Sequence, residues 1–273
     1  MTLRLLKRAV VRAFQDDCFE AAKGAAYSAL LAFFPGLLVA AAVLVQQNVG
    51  DIVPEVSRTL GRVLPPDAQR LATQFLFAGA QERGLLVGAA LVSVWSASGV
   101  ILSLKHGLHR AYKVPEKRGM IHSRVVAVVA VLLAGTPLLA ATLLLVFGQQ
   151  IENWLLGVWG EGSRWVIPAG GLARTLLAMG TSVLVLGTVY RFVPNRRQKW
   201  RFVWPGAAVT TLLWWSATLG FTWYAGRVAR YRDFYGSLST VVALLIWMYI
   251  VSLLVLIGGE YNAEYEAAAK RKR

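Results

Sequence analysis

The run LSTVVALLIWMYIVSLLVLIG, residues 238–258, holds no charged residue, no proline and a single glycine at its end. At about 1.5 Å of rise per residue, a helix of roughly 20 residues matches a hydrocarbon core about 30 Å thick. The run therefore reads as a transmembrane helix. A strand is excluded because the apolar residues are continuous rather than alternating, and an open sheet in lipid would leave backbone groups unpaired.

Working outward, five more stretches of the same kind lie at 26–46, 84–104, 125–148, 175–193 and 203–225. Across its 273 residues the chain is 56% hydrophobic and only 16% charged, with a mean hydropathy of +0.53. That leaves too little polar surface for a soluble globule. The expected architecture is all-α: one polytopic membrane domain over 1–273 with six transmembrane helices. An N-terminal interfacial helix at 1–24, short external helices and a cytoplasmic tail at 259–273 complete it.

Lys and Arg crowd the N-terminal segment, the 105–124 loop, the 191–201 loop and the tail, about twofold over the alternate side. Because positive loops tend to stay in the cytoplasm, both termini are expected there. The formal charge of +15 then follows from topology, with basic loops facing anionic lipid, and gives no reason to infer nucleic-acid binding. Arg4, Arg8 and Arg12 share one helical face while Leu3, Leu6, Val10 and Phe14 line the other, the pattern of a helix lying in the interface. A cleaved signal peptide is not expected, since the first apolar run is too long and five more spans follow.

Cys18 is the only cysteine, which excludes an internal disulfide and suits a small apolar filler. Trp154, Trp159 and Trp165 near the outer end of spans three and four, and Trp200 and Trp204 at the start of span five, suit interfacial anchors. Within 47–83, helical spacing split by Pro65-Pro66, with Asp67 placed as a cap, predicts two short surface helices. The 149–174 connection, rich in Gly and Trp, reads as partly interfacial.

The residues also resemble a family. Asp16-Asp17-Cys18-Phe19-Glu20, then Gly24-Ala25-Ala26-Tyr27-Ser28-Ala29-Leu30 and Phe33-Phe34-Pro35, resemble the opening signature of the YihY/BrkB family of bacterial inner-membrane proteins. Trp95-Ser96-Ala97-Ser98, Tyr190-Arg191-Phe192-Val193-Pro194-Asn195-Arg196, Trp204-Pro205-Gly206-Ala207, Tyr235-Gly236-Ser237-Leu238 and Gly259-Glu260-Tyr261-Asn262-Ala263 continue it over nearly the whole chain. The resemblance implies six spans with cytoplasmic termini in a bacterial inner membrane, and an outline similar to transporters of lipids or amphiphiles. It also brings an older label of tRNA-processing ribonuclease. Ser28 stands where a second Tyr is common and His109 where Asn is usual, so roles at those two positions do not carry over.

The ribonuclease label meets a chemical objection. Such a site needs carboxylates or imidazoles on a metal, or an acid and a base beside the scissile phosphate. His106, His109 and His122 all fall in one basic loop, with only Glu116 as a nearby carboxylate, and read as exposed loop histidines. No nucleotide-binding loop, nucleophile elbow or zinc-binding His pair is present. No catalytic residue, metal or cofactor is expected.

For transport, the informative residues are polar or helix-breaking groups inside apolar spans. Tyr27, Ser28 and Pro35-Gly36 in span one, Ser96 and Ser98 in span two, and Ser216 in span five are candidates for a pathway, as is Tyr235 before span six. Small and hydroxylated residues also cement helix packing, so convergence alone would mark a pathway. Glu260, Asn262 and Glu264 at the inner end of span six, with Asp17, Asp16 and Glu20 expected at the same depth, form a second candidate. They read either as structural pairing with the basic 191–201 loop or as an ionisable gate with Glu260 as the titrating group. Arg191, Arg196, Arg197, Lys199 and Arg201 are the candidate contacts for anionic lipid headgroups.

Three functions follow: a secondary transporter or flippase-like exporter of a lipid or amphiphile, a non-transporting membrane scaffold, and, last, a membrane-bound hydrolase. The expected partners are membrane lipids, anionic headgroups above all, and an amphiphilic solute. The sequence leaves homo-oligomerisation open.

Overall fold

The computed structural model describes residues 2–46, 83–115, 119–137, 166–196, 198–228 and 238–271, and every regular element among them is an α-helix. In chain order these are α1 (Thr2–Gln15), α2 (Cys18–Gln46), α3 (Arg83–Ala111), α4 (Met120–Pro137), α5 (Val166–Phe192), α6 (Trp200–Val228) and α7 (Leu238–Arg271). Five of them, α2, α3, α4, α5 and α7, are long and apolar enough to cross a membrane. Helix α6, where span five was expected, is continuous over 29 residues. Trp204, Trp214, Trp215 and a run of Thr and Ser dilute its apolar content, and it is not among those five. The protein is an all-α, polytopic membrane protein. The surface helices expected within 47–83, the anchors Trp154, Trp159 and Trp165, and most of the 149–174 connection lie outside the described residues.

The helices outrun the hydropathy that predicted them. Helix α2 begins at Cys18, α3 continues to Ala111, and α7 runs unbroken through the expected tail to Arg271, 34 residues in all. A helix satisfies its own backbone in water as well as in lipid, so the apolar run ends where the hydrocarbon ends while the helix goes on.

Two turns at one end of the bundle shape the site. Helix α1 stops at Asp16-Asp17, where Asp17 takes a left-handed φ of 49° and its carbonyl accepts from the amides of Glu20 and Ala21 to open α2. Aspartate tolerates that conformation better than most residues. At the end of α3, Lys113 has φ 53°, its amide bonds to the Arg110 carbonyl, and the Val114 amide bonds to the His109 carbonyl. This is a Schellman closure with lysine where glycine is usual.

Small residues set the closest helix pair. On α2, Gly24, Ser28, Ala32 and Gly36 recur every fourth residue; a side chain added at Gly24, Gly36 or Gly99 would meet the hydroxyl of Ser103, Ser93 or Ser28. The pairing order runs opposite along α2 and α3, so the two are antiparallel. Ser93 also donates to the Ala32 carbonyl across the pair at 3.1 Å. Helices in lipid approach this way because van der Waals contact must replace the missing hydrophobic drive.

The dense core sits at the end that carries α1 and the last turns of α7. There Leu104, Leu108 and Tyr112 pack with Val189, Tyr190, Val193, Val203, Ala207, Val255 and Leu256. Away from that end large side chains face outward, with Leu91, Leu133 and Leu219 each more than 60% exposed. That surface suits hydrocarbon rather than water as the solvent.

The face of α1 toward the bundle is Leu5, Ala9 and Ala13, spaced four apart. Leu5 and Ala9 pack with Tyr261, Tyr265 and Ala268 of α7. Leu3, Val10 and Phe14 form an exposed apolar strip beside it. The expected amphipathic helix is present; the structure adds that α1 is docked on α7 through a third face, with Leu6 turned partly inward.

Candidate functional site at the basic end of the bundle

Helix α7 brings four polar side chains into this end, at 260, 262, 264 and 266, and each meets a different partner. Glu260 is fully buried. Its Oε1 accepts a long contact from the Cys18 thiol at 3.7 Å, its Oε2 has no hydrogen-bond partner among the described residues, and Asp16 stands beside it. Two carboxyls so placed repel when both are ionised and bond when one holds a proton. Asn262, also fully buried, accepts from the Gly206 amide at 2.7 Å and donates to the Val203 carbonyl at 3.2 Å. It thus stitches α7 to α6 on either side of Pro205, where α6 lacks an amide donor. Glu264 pairs with Arg12 of α1 at 2.7 Å. Glu266 pairs with Arg196 and with Lys270, the latter at 2.9 Å.

The structural-pairing expectation therefore divides. Glu264 ties α1 to α7, Glu266 ties the 191–201 loop to α7, and buried Glu260 makes no ion pair among the described residues, the Arg12 charge reaching it only from beyond contact distance. Asp17 pairs with Arg110 at 3.0 Å and Glu20 with Lys23 at 2.7 Å, both pairs exposed, while Asp16 alone joins Glu260.

The candidate pathway residues of the spans do not converge with them. Tyr27 points outward, 62% exposed. Ser98 donates back to the Trp95 carbonyl at 2.6 Å and Ser216 to the Leu212 carbonyl at 3.0 Å, each within its own helix. Ser28 sits against Gly99, Pro35 lies inside α2, and Ser96 is half-buried on α3. Tyr235 and Arg197 lie outside the described residues.

The 191–201 segment is built by anchors the sequence did not announce. Tyr190, fully buried, donates to the Val255 carbonyl at 2.7 Å and shares a 2.8 Å hydrogen bond with Thr210. Arg191 donates to the Gln198 carbonyl at 2.6 Å and stacks over Trp200, 4.8 Å from the ring centroid. Trp200 and Trp204 stack on each other at 5.3 Å and stay partly exposed, as interfacial anchors should.

The histidines correct an expectation. His106 and His109 lie on the extended α3 rather than in a loop, and His109 is buried, its Nε2 accepting from the Asn195 amide at 3.2 Å. Lys105, only 3% exposed, donates to Ser123 at 2.7 Å and ties α3 to α4. Burial holds the Tyr112 hydroxyl well above its ordinary pKa, with the Asn262 and Gln198 amides nearby. A sequence signal for these residues existed only in their adjacency to the family motifs.

Two cavities flank the last turns of α7. One, of about 500 Å³, is lined by Arg4, Lys7, Arg8, Arg12 and Arg271 with Glu264 as its single carboxylate. The other, of about 480 Å³, lies against the 196–202 segment. Among the described residues no group of three His, Cys, Asp or Glu side chains could hold a metal ion.

Comparison with known proteins agrees with this architecture. A family profile described as Virulence factor BrkB matches residues 9–273. A Bacillus subtilis protein named ribonuclease-like, YfkH, is 31% identical over 184 residues, 66% of this chain and 65% of that protein. A UPF0761 membrane protein of Nitrosospira multiformis is 27% identical over 91% of this chain and 58% of its own length. One of Laribacter hongkongensis is 28% identical over 92% and 58%. The chain thus spans less than two thirds of the length of these relatives. No solved structure matches it. With its helices, its motifs and a profile running from α1 to the last residue in agreement, the chain belongs to the BrkB virulence-factor family of membrane proteins.

Proposed function

We propose that the chain is a carrier, a secondary transporter or flippase-like exporter, for an anionic lipid or amphiphile in a bacterial inner membrane, with both termini cytoplasmic and the basic end as its loading mouth. Glu260 carries this reading. An ionisable group inside a membrane protein is costly, and it persists where it pairs, lines a pathway or relays a proton. Glu260 is fully buried, makes no ion pair among the described residues although the Arg12 charge reaches it, and meets a second carboxyl. It lies one turn from Glu264, which lines the cationic α1–α7 groove. An anionic headgroup drawn to that groove would arrive one turn from this buried carboxyl. No enzymatic role is proposed.

The test is flux. Proteoliposomes holding the full chain should speed transbilayer movement of a fluorescent anionic phospholipid over protein-free vesicles, and Glu260→Gln should lower that rate about tenfold or more. Equal rates with and without protein, across phospholipids and fatty acids, would sink the carrier.

A non-transporting scaffold is the second reading, and one observation favours it. The hydroxyls of Ser98, Ser216 and Thr136 turn back to carbonyls of their own helices, so they line no shared seam.

A further inference from the structure

We infer that the cavity between the 196–202 segment and the last turns of α7 is a binding site for a phosphate group, separate from the α1–α7 groove and independent of whether the chain moves a solute. Four cations line it, Arg196, Lys199, Arg201 and Lys270, against one carboxylate, Glu266. That carboxylate is shared by Arg196 and Lys270, and Lys199 and Arg201 have no carboxylate partner among the described residues. Arg201 instead rests on the Phe202 ring, 4.6 Å from its centroid.

Gln198 shows that the cavity is built rather than a patch of surface charge. It lines the cavity and is only 5% exposed, and its amide lies beside the buried Tyr112 hydroxyl, which fixes the segment against the end of α3. Buried amides are ordinarily satisfied within the protein, so Gln198 sets the wall of the cavity while Lys199 and Arg201, without a carboxylate partner among the described residues, are left to meet a ligand. A tetrahedral dianion fits the need: its oxygens can take the planar Arg201 fork and the Lys199 ammonium together. Phe202 and Tyr265, in edge contact at 6.4 Å, add an apolar wall that could hold the carbon skeleton carrying the phosphate. A volume near 480 Å³ suits a phosphorylated headgroup or small phosphate ester, and excludes a folded macromolecule.

The shared chemistry could come from a lipid or from a soluble ester, and the experiment separates them. The full chain in uncharged detergent is titrated with dioctanoyl phosphatidic acid, with dioctanoyl phosphatidylcholine as control and glycerol 3-phosphate as the soluble arm. The phosphatidic acid should bind, and K199Q/R201Q should weaken it roughly tenfold or more, as expected for two lost charge-assisted hydrogen bonds. K199R/R201K, which keeps every charge, should retain most of the affinity, so that the loss in K199Q/R201Q reads as lost cations and not as lost fold. In an Arg4→Gln/Arg8→Gln background, which disarms the other groove, the loss caused by K199Q/R201Q should persist. Displacement of the lipid by glycerol 3-phosphate assigns a soluble ester, and its failure to displace assigns the lipid headgroup; either supports the site. Wild-type affinity in K199Q/R201Q overturns it. Loss of flux in Glu260→Gln with intact binding here, or the converse, keeps this inference distinct from the carrier reading.

Discussion

The Tyr190 hydroxyl donates a 2.7 Å hydrogen bond to the Val255 carbonyl, and that single contact locks α5 to α7 across the densest part of the bundle. Thr210 completes the junction from α6 at 2.8 Å, so three helices meet on one phenol that water cannot reach. Tyr190→Phe is expected to cost about 1–3 kcal/mol, because the hydroxyl of Thr210 loses a buried partner. Thermal unfolding of Tyr190→Phe, Thr210→Val and the double variant in detergent checks it. Strict additivity would show that the hydroxyls are not coupled.

Glycine makes room for that junction. A side chain at Gly258 would collide with Thr210 and Tyr190, whereas one at Gly220 meets nothing within 4 Å. Gly258→Ala should therefore destabilise by about 1–3 kcal/mol through overpacking. Gly220→Ala should stabilise by about 0.5–1 kcal/mol through helix propensity. Opposite shifts in melting temperature are the expected result, and shifts of the same sign would contradict the packing described.

Lys113 holds a left-handed φ of 53° at the close of α3. Glycine removes that strain, which is about 1 kcal/mol for a residue with a Cβ, at some cost in unfolded-chain entropy. Lys113→Gly is expected to raise the melting temperature by a small amount, while Lys113→Val should lower it.

Glu264 is nearly buried and Arg12 is its ion partner at 2.7 Å. Removing the cation alone leaves a charge with little water, so Arg12→Gln should destabilise the α1–α7 contact by about 1–3 kcal/mol. Limited proteolysis would detect release of α1. Adding Glu264→Gln to Arg12→Gln should restore much of the protection, since the uncompensated charge is then gone.

Glu260 should behave in the opposite way. With no direct ion pair to lose among the described residues, a second carboxyl beside it and a neutral isostere in its place, Glu260→Gln is expected to leave the melting temperature unchanged or higher. A fall of several degrees would mean that the carboxylate has a stabilising partner and is structural. Retained stability with lost flux is the result the carrier reading requires.

Much of the architecture was readable from hydropathy: the core of each described span lies inside a helix of the structure, because apolar length and lipid thickness are matched locally along the chain. Helix ends were less readable. Residues 105–111 and 259–271 are polar enough to look like loop and tail, yet they continue α3 and α7 through tertiary contacts with Ala21, Tyr190 and α1. The acidic cluster was visible as Glu260, Asn262 and Glu264, but its partners were not. That Glu264 meets Arg12, Glu266 meets Arg196 and Asn262 meets Gly206 depends on side-chain direction at a helix crossing, and helical periodicity alone does not supply it.

Composition and charge order along the chain were enough to determine the solvent of this protein, its helical class and its basic end, since each is a sum over neighbours in sequence. Which polar groups satisfy one another was decided only by the tertiary structure. Tyr190, Thr210 and Val255, or Cys18 and Glu260, are far apart along the chain, and only the packed bundle removes the water that would otherwise bond to each of them. Burial without a direct ion pair among the described residues is what separates Glu260 from Glu264 and Glu266 on α7, and burial is a property of the fold.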